Sequence, residues 1–581
     1  MEMNMGISRT FTSPEYIFRD RGYRSFIIKY NKEILEEVEK IDGVYLTPIR
    51  EIYAILTIRD DGINSYEKSQ IISVNVGALD IKYLQLYKLQ DISPIGAANV
   101  GSVQINTPLN LTGRDVLVGI IDTGIDYLSN EFMTTSGKTR INFIWDQTIE
   151  NKAGINRTVP YGTEYYSEEI NIAIELFKQG KDPYVVVPSK DKIGHGTNMA
   201  SIIGAAGINN ELKGVAPECE FCIVKLAEPI IYKDDTNINI PVFDLTSIFI
   251  GIVRLYEYSL KSLKPMVIYL PLGSNSGNHR GNGIINELIQ NVSSSVGVVV
   301  VTGAGNEGAE GGHTSGTIST VGGTEDIYLN ISKEQNSLVV EIWVETPNIM
   351  SINVISPSGE DTGIIPVLIN SKQEFNFVFE KVSVQVFYFI PEATTGDELI
   401  LVYFQNLQPG TWKLRLTANI ITNGVFNAWI PVKGISLGDT AFIQSDNYGT
   451  FTTPGDSPNI ITAAAYNQNN NNTLKYSGMA FKNDLLQTIN IAAGGVNQKA
   501  LGPNNKVDIV SGTSVSAAVV SGVCLLMFQW GIVDDNFPSM YSESLITFLV
   551  RGAGKRRGDL YPNPEWGYGM LDVFKIFSTI P

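Results

Sequence analysis

At 581 residues the chain is longer than one hydrophobic core commonly supports, so two or three folding units are expected. A 43% hydrophobic content and a mean hydropathy of +0.03 supply material for large cores and exclude a globally disordered chain. The net charge of -17 argues against nucleic acid and anionic membrane as partners.

Residues 1–15 lack the apolar stretch of a signal peptide, and no run approaches the roughly 18 apolar residues of a membrane span. An intracellular location is therefore expected. Residues 1–90 read as a separate α+β unit. It has a strand over 25–30, then a helix capped by Asn31 with Ile34, Leu35, Val38 and Ile41 on one face, then a strand over 52–58. Apolar strands then alternate with helices, the pattern of a parallel α/β sheet: strands at 116–121, 222–225, 266–270 and 298–301. Residues 143–147 form a further apolar stretch, and 168–178 is amphipathic. Residues 320–440 are β-rich, with short alternating strands at 337–344, 351–355, 375–379, 384–390, 399–404, 411–416 and 424–430, spaced as in a sandwich or jelly roll. The α/β pattern resumes near 447; 467–472 is an Asn-rich polar loop. Helices are expected at 199–206 and 515–530.

Three cysteines do not make a disulfide framework. Cys219 and Cys222 form a C-x-x-C at a turn entering a strand. With no second thiol pair or histidine nearby, they read as packing rather than a metal or redox site. Cys524, in the apolar helix, reads as core. His279 and His313 lie in Gly/Asn-rich loops and are expected to face solvent.

The chemistry is carried by three separated segments: Val118-Gly-Ile-Ile-Asp-Thr-Gly124, Gly194-His-Gly-Thr197 and Ser511-Gly-Thr-Ser-Val-Ser516. A serine hydroxyl is a poor nucleophile at neutral pH. It needs a histidine to take its proton and a carboxylate to fix that histidine's tautomer. Asp122, His195 and Ser514 supply these types in that chain order. Thr302-Gly-Ala-Gly-Asn-Glu-Gly308 adds Asn306, an amide donor for an oxyanion. Neither a cofactor nor a metal is called for. Alone, each segment recurs by chance; the ordered set does not.

On these motifs the chain resembles the subtilases, the subtilisin-like serine proteases, over residues 100–310 and 445–575. The resemblance implies an α/β fold with a parallel sheet and flanking helices, with Asp122 as orienter, His195 as general base, Ser514 as nucleophile and Asn306 as oxyanion donor. It implies that Leu272, Gly273 and Ser274, with the strand leaving Lys225, border an extended peptide substrate. It implies the division 1–90 prosegment, 91–319 and 441–581 catalytic domain, and 320–440 inserted β-sandwich. The prosegment would be cut between Gln90 and Asp91 by the enzyme itself and could stay bound. Val515 and Ala518 stand where the family usually carries Met and Pro; neither supplies a catalytic atom.

A prosegment, no signal peptide, a long Asp-to-His segment and a β insertion resemble the germination-specific Csp proteases of anaerobic spore formers. That subfamily activates a zymogen, the precursor of a spore cortex hydrolase, which would be the protein substrate in a spore-associated enzyme. A general degradative intracellular subtilase, or a weakly active regulator binding through its cleft, remain the alternatives.

Overall fold

The computed structural model describes residues 13–18, 20, 22–29, 38, 40–50, 53–59, 80–82, 92–104, 109–150, 159–229, 238–482 and 489–580. They fall into two compact units, Met1–Asp91 and Ile92–Pro581.

The first unit is an antiparallel sheet ordered Val44–Arg50, Tyr53–Arg59, Tyr23–Lys29, Asp80–Lys82. Alternation puts Ala54, Leu56 and Ile58 on one buried face with Ile28 and Val44; Val38 is buried as well. Strand Val44–Arg50 had no sequence expectation, because Pro48 interrupts its pattern; the register shifts there. Ile34 and Leu35 lie outside the described residues.

The second unit is built on a nine-stranded sheet. Its central strands run parallel in the order Ile461–Asn467, Val298–Gly303, Met266–Tyr269, Leu117–Asp122, Glu220–Lys225, Ile141–Asp146. Both faces are covered, which is why these strands read as continuous apolar runs. In Leu117–Asp122 alternate residues serve different cores. Val118 and Ile120 pack with Met199, Ile203 and Val519, from helices His195–Gly204 and Thr513–Phe528. Leu117 and Ile121 pack with Ile252 and Ile289, from Leu245–Ser262 and Ile284–Ser293 on the other side. The fold is α/β with a parallel sheet between helix layers, as the alternation of elements implies.

Thr513–Val533 is 21 residues long, and its length and composition would suit a membrane span, against the expectation that no run approaches one. Its apolar window is 89% buried within the protein. Such a helix, hydrophobic all round, is here the central core helix of the catalytic unit.

A β-sandwich interrupts this unit. A six-stranded sheet runs His313–Thr317, Val425–Trp429, Ser337–Val344, Glu398–Gln405, Ser383–Phe389, Ser371–Asn376. A four-stranded sheet runs Ile349–Ile355, Gly410–Ile420, Thr324–Ile331, Ala441–Phe442. One core joins them, with Trp412, Phe404 and Tyr388 at its centre. Two strands before 337 had no sequence expectation; Gly316 and the polar run Thr324-Glu-Asp326 hide their alternation. The strand expected at 375–379 instead ends at Asn376; Val378 and Phe379 sit exposed in the hairpin turn, their N–H groups held by Glu360. Trp343, Leu399 and Trp429 do not join the sandwich core. They form a small cluster with Phe481 of the catalytic unit.

Candidate active site

Asp122 is the last residue of strand Leu117–Asp122, and its carboxylate is 1% exposed. His195 is the first residue of helix His195–Gly204, whose N-cap, Gly194, adopts a left-handed conformation at φ 90°. The His195 Nδ1 lies 2.9 Å and 2.8 Å from the two Asp122 carboxylate oxygens. The Thr123 N–H also donates to Asp122, at 2.7 Å. A carboxylate in this position fixes the proton on Nδ1 and leaves Nε2 free to accept one. Burial pulls the His195 pKa down, but the charge and hydrogen bond of Asp122, with the charge of Asp191, outweigh it and raise it overall.

Asp191 was not singled out from sequence. Buried, it takes hydrogen bonds from the Gly194 N–H at 2.7 Å, the Thr197 N–H at 2.9 Å and the hydroxyls of Thr197 and Thr123 at 2.7 and 2.9 Å. It thus ties the first turn of the His195 helix to the residue after Asp122. The Thr123 hydroxyl closes the link by accepting the Gly196 N–H at 2.9 Å. Asp191 lies three residues before the N-cap, Gly194, outside the position where a capping residue is read from sequence, so no local signal marked it.

Ser514 lies in the first turn of Thr513–Phe528, and it alone of that helix is not buried. Tyr269 holds the Ser514 carbonyl oxygen through its hydroxyl, at 2.9 Å. Among the described residues the Ser514 hydroxyl has no hydrogen-bond partner, so the His195–Ser514 link of a triad is not made in this structure. Such bonds commonly tighten only when substrate binds.

Asn306 follows strand Val298–Gly303 and is exposed. Its amide orientation is fixed: Oδ1 accepts the Thr513 N–H and the Thr513 hydroxyl, each at 3.1 Å. Its NH₂ therefore points away from Thr513. A carbon at the Cβ position of Gly512 would lie 3.6 Å from Asn306 Nδ2 and 3.9 Å from the Ser514 nitrogen, so the two donors border one small volume beside the hydroxyl. That arrangement can hold an oxyanion. Glu307, next in sequence, is buried; burial raises its carboxyl pKa, and it accepts the Lys433 N–H at 3.0 Å.

The segment 272–274 continues from strand Met266–Tyr269 with Leu272 half-buried and Gly273 and Ser274 exposed. Ser274 exchanges both backbone hydrogen bonds with Thr453, at 2.9 Å. The peptide groups of Leu272 and Gly273 have no partner among the described residues. On the opposite side the chain leaving Lys225 is described only to residue 229, and Gln90 and Asp91 lie outside the described residues.

His279 and His313 are each 1% exposed, against the expectation that they face solvent. Loop composition misleads here because both rings stack on Trp429, with centroids at 4.4 and 4.6 Å. Cys219 and Cys222 are buried and unpaired; burial pushes the Cys219 thiol up to about 12.

A half-buried serine hydroxyl at the start of a buried helix, an imidazole bridged by a buried carboxylate and a fixed amide donor are the parts of a hydrolase of the Ser-His-Asp class. The Subtilase family (Peptidase S8) matches residues 113–362 and 434–569. The chain belongs to the subtilase family and is a subtilisin-like serine endopeptidase. Among solved structures, the CspB protease of Clostridium perfringens is similar at 30% identity over 83% of this chain and 96% of that one, with a TM-score of 0.73. Sphericase and the S41 psychrophilic protease match at 15% and 14% identity over 84% of this chain and all of theirs, with TM-scores of 0.42 and 0.41. No curated protein sequence matches significantly.

Proposed function

We propose that Ser514 is the nucleophile of this endopeptidase, His195 its general base and acid, Asp122 the orienter of His195, and Asn306 with the Ser514 N–H the oxyanion donors. The observation that carries the reading is the contact of His195 Nδ1 with both Asp122 oxygens, at 2.9 and 2.8 Å. Ser514 Oγ attacks the scissile carbonyl as His195 Nε2 takes its proton. The tetrahedral oxyanion is held by the two donors, and His195 returns the proton to the leaving amine. Water then repeats the sequence on the acyl-enzyme. An extended substrate pairs with the unpartnered peptide groups of Leu272 and Gly273 as an added strand.

The finer reading is an autoprocessed protease that activates a zymogen, by kinship with the CspB protease of Clostridium perfringens. In this reading residues 1–90 are a prosegment, cut between Gln90 and Asp91, that remains an inhibitor until a germination signal. The alternation in Tyr87-Lys-Leu-Gln90 suits an extended strand in a cleft, with Tyr87 as its apolar anchor. N-terminal sequencing tests it. Wild type is expected to show a second N-terminus near Asp91 that Ser514→Ala lacks; an uncut, fully active wild type would refute the prosegment. Incubation with a purified zymogen cortex hydrolase tests the substrate: cleavage at one bond is expected, and general degradation would favour a housekeeping protease.

A further inference from the structure

The residues just after Leu272, Gly273 and Ser274 run along the β-sandwich, and they are held there by unlike contacts. The Asn275 side-chain NH₂ donates to the Ile430 carbonyl at 3.0 Å. The Gly277 N–H donates to a Glu341 carboxylate oxygen at 2.9 Å, and the same oxygen takes the Trp343 indole N–H at 3.0 Å. The Asn278 NH₂ reaches Asp397, and Arg280 pairs with Glu345. Between these polar ties lies a ring stack. His279 lies flat on Trp429, inclined by 10°, while His313 stacks on the same indole. The Trp429 N–H is fixed on the Gly449 carbonyl at 3.0 Å. The two His279 nitrogens contact the carbonyls of Phe451, at 2.7 Å, and Asn275, at 3.0 Å.

Phe451 is one residue from Thr452, and Thr452 is the other half of the connection. A Cβ on Gly273 would lie 2.2 Å from its hydroxyl, and one on Gly305 would lie 2.5 Å from its methyl carbon. Thr452 is thus wedged between the substrate edge and the loop that carries Asn306. Stacking on Trp429 positions His279, His279 reaches Phe451, and the 451–453 segment sets the edge against which substrate lies.

We propose that Trp429 is a positioning residue for extended substrate: through His279 and residues 451–453 the inserted sandwich fixes the Leu272–Gly273 edge. This rests on the assignment of that edge and of Ser514 above. Aromatic stacking adds to area burial and biases a short loop toward one arrangement. The contacts of Trp429 and His279 reach the edge and not Ser514, His195 or Asp122, so the larger effect falls on binding along the edge; Thr452 also borders Gly305, and any smaller effect through Asn306 falls alike on peptide and ester.

The test compares two substrates and two variants. Trp429→Ala is expected to raise KM for an extended peptide amide by about tenfold or more, the signature of lost substrate binding, and to leave kcat and the hydrolysis of p-nitrophenyl acetate within about twofold. Trp429→Phe keeps a ring on His279 and is expected to recover most of the peptide KM. Equal losses on ester and peptide, or no loss on either, would overturn the proposal. If Trp429→Ala does not fold, Glu341→Gln weakens the Gly277 tie from the same side and is expected to raise the peptide KM selectively; its failure to do so would count equally against the brace. Labelling by a serine-reactive phosphonate separates the two readings. A wild type that labels elsewhere than Ser514 refutes the nucleophile, whereas normal labelling with an unchanged peptide KM in the variants refutes the brace alone.

Discussion

The backbone of Gly196 faces that of Gly124 so closely that a Cβ on Gly196 would lie 2.1 Å from the Gly124 carbonyl oxygen. Any side chain at 196 must push the His195 helix away from the strand that ends in Asp122. Glycine in the segments around Asp122 and His195 is thus a demand of close approach. Gly196→Ala is expected to lower kcat by about 100-fold or more, since a displacement of about 1 Å at a catalytic group costs that much. Wild-type turnover with an unchanged fold by circular dichroism would contradict this.

Asn306→Ala removes the amide NH₂ and the acceptor for Thr513. Loss of one oxyanion donor costs about 10²–10³ in kcat with little change in KM. Asn306→Asp keeps the acceptor for Thr513 and removes the donor, so it is expected to be at least as slow. Steady-state kinetics on one peptide substrate checks both; a KM effect without a kcat effect would place Asn306 outside the oxyanion site.

Only neutral His195 can accept the serine proton, so activity must rise with pH through its pKa. Asp122 and Asp191 raise that pKa despite burial, so the acid limb of kcat/KM is expected above the ordinary value of roughly 6.5. Other charged groups near this end of the sheet include Asp126, which takes the Asn504 N–H, and Lys225, whose ammonium is paired with Asp146 at 2.9 Å; Lys190 and Lys192 flank Asp191 in the chain. Asp191→Asn removes one raising charge and keeps the shape, so the limb should move down. The raised pKa has an opposite consequence for folding: the stability protonated His195 contributes is full below its unfolded pKa and is lost as pH rises through the folded one. An Asp191→Asn profile that is unmoved or moves up would refute this role.

In the sandwich, Glu398 is 2% exposed. One oxygen accepts the Met350 N–H at 2.7 Å and the other has no partner among the described residues, and burial pushes the carboxyl up to about 8. The native state therefore holds a proton that the unfolded chain releases at roughly 4.3, so stability falls as pH rises between those values. Glu398→Gln is expected to raise Tm at pH 8 relative to wild type and to change it little at pH 4. Equal shifts at both pH values would exclude the ionisation as the cause.

Much of this was legible in sequence because it is local. The segments around Asp122, His195 and Ser514 name their chemistry, and the β-branched and aromatic run of Ser337–Val344 marks a strand on its own. What was hidden depends on residues far apart in the chain. Asp191 matters because the fold brings Thr123 to it, and the burial of His279 and His313 requires Trp429 from the insertion. The apolar face of Val378 and Phe379 looked like strand, but the hairpin turns beneath them. Thr513–Val533 has the composition of a membrane span, and only the layers packed around it make it a core helix.

The rate of peptide hydrolysis by Ser514→Ala, measured beside wild type on the same purified, correctly folded preparation, tests the central assignment most directly. Groups that act as a unit lose nearly all their rate together, about 10⁶-fold when the serine of a subtilisin is removed, so turnover should fall to background. Substantial peptide hydrolysis by Ser514→Ala would show that the nucleophile lies elsewhere.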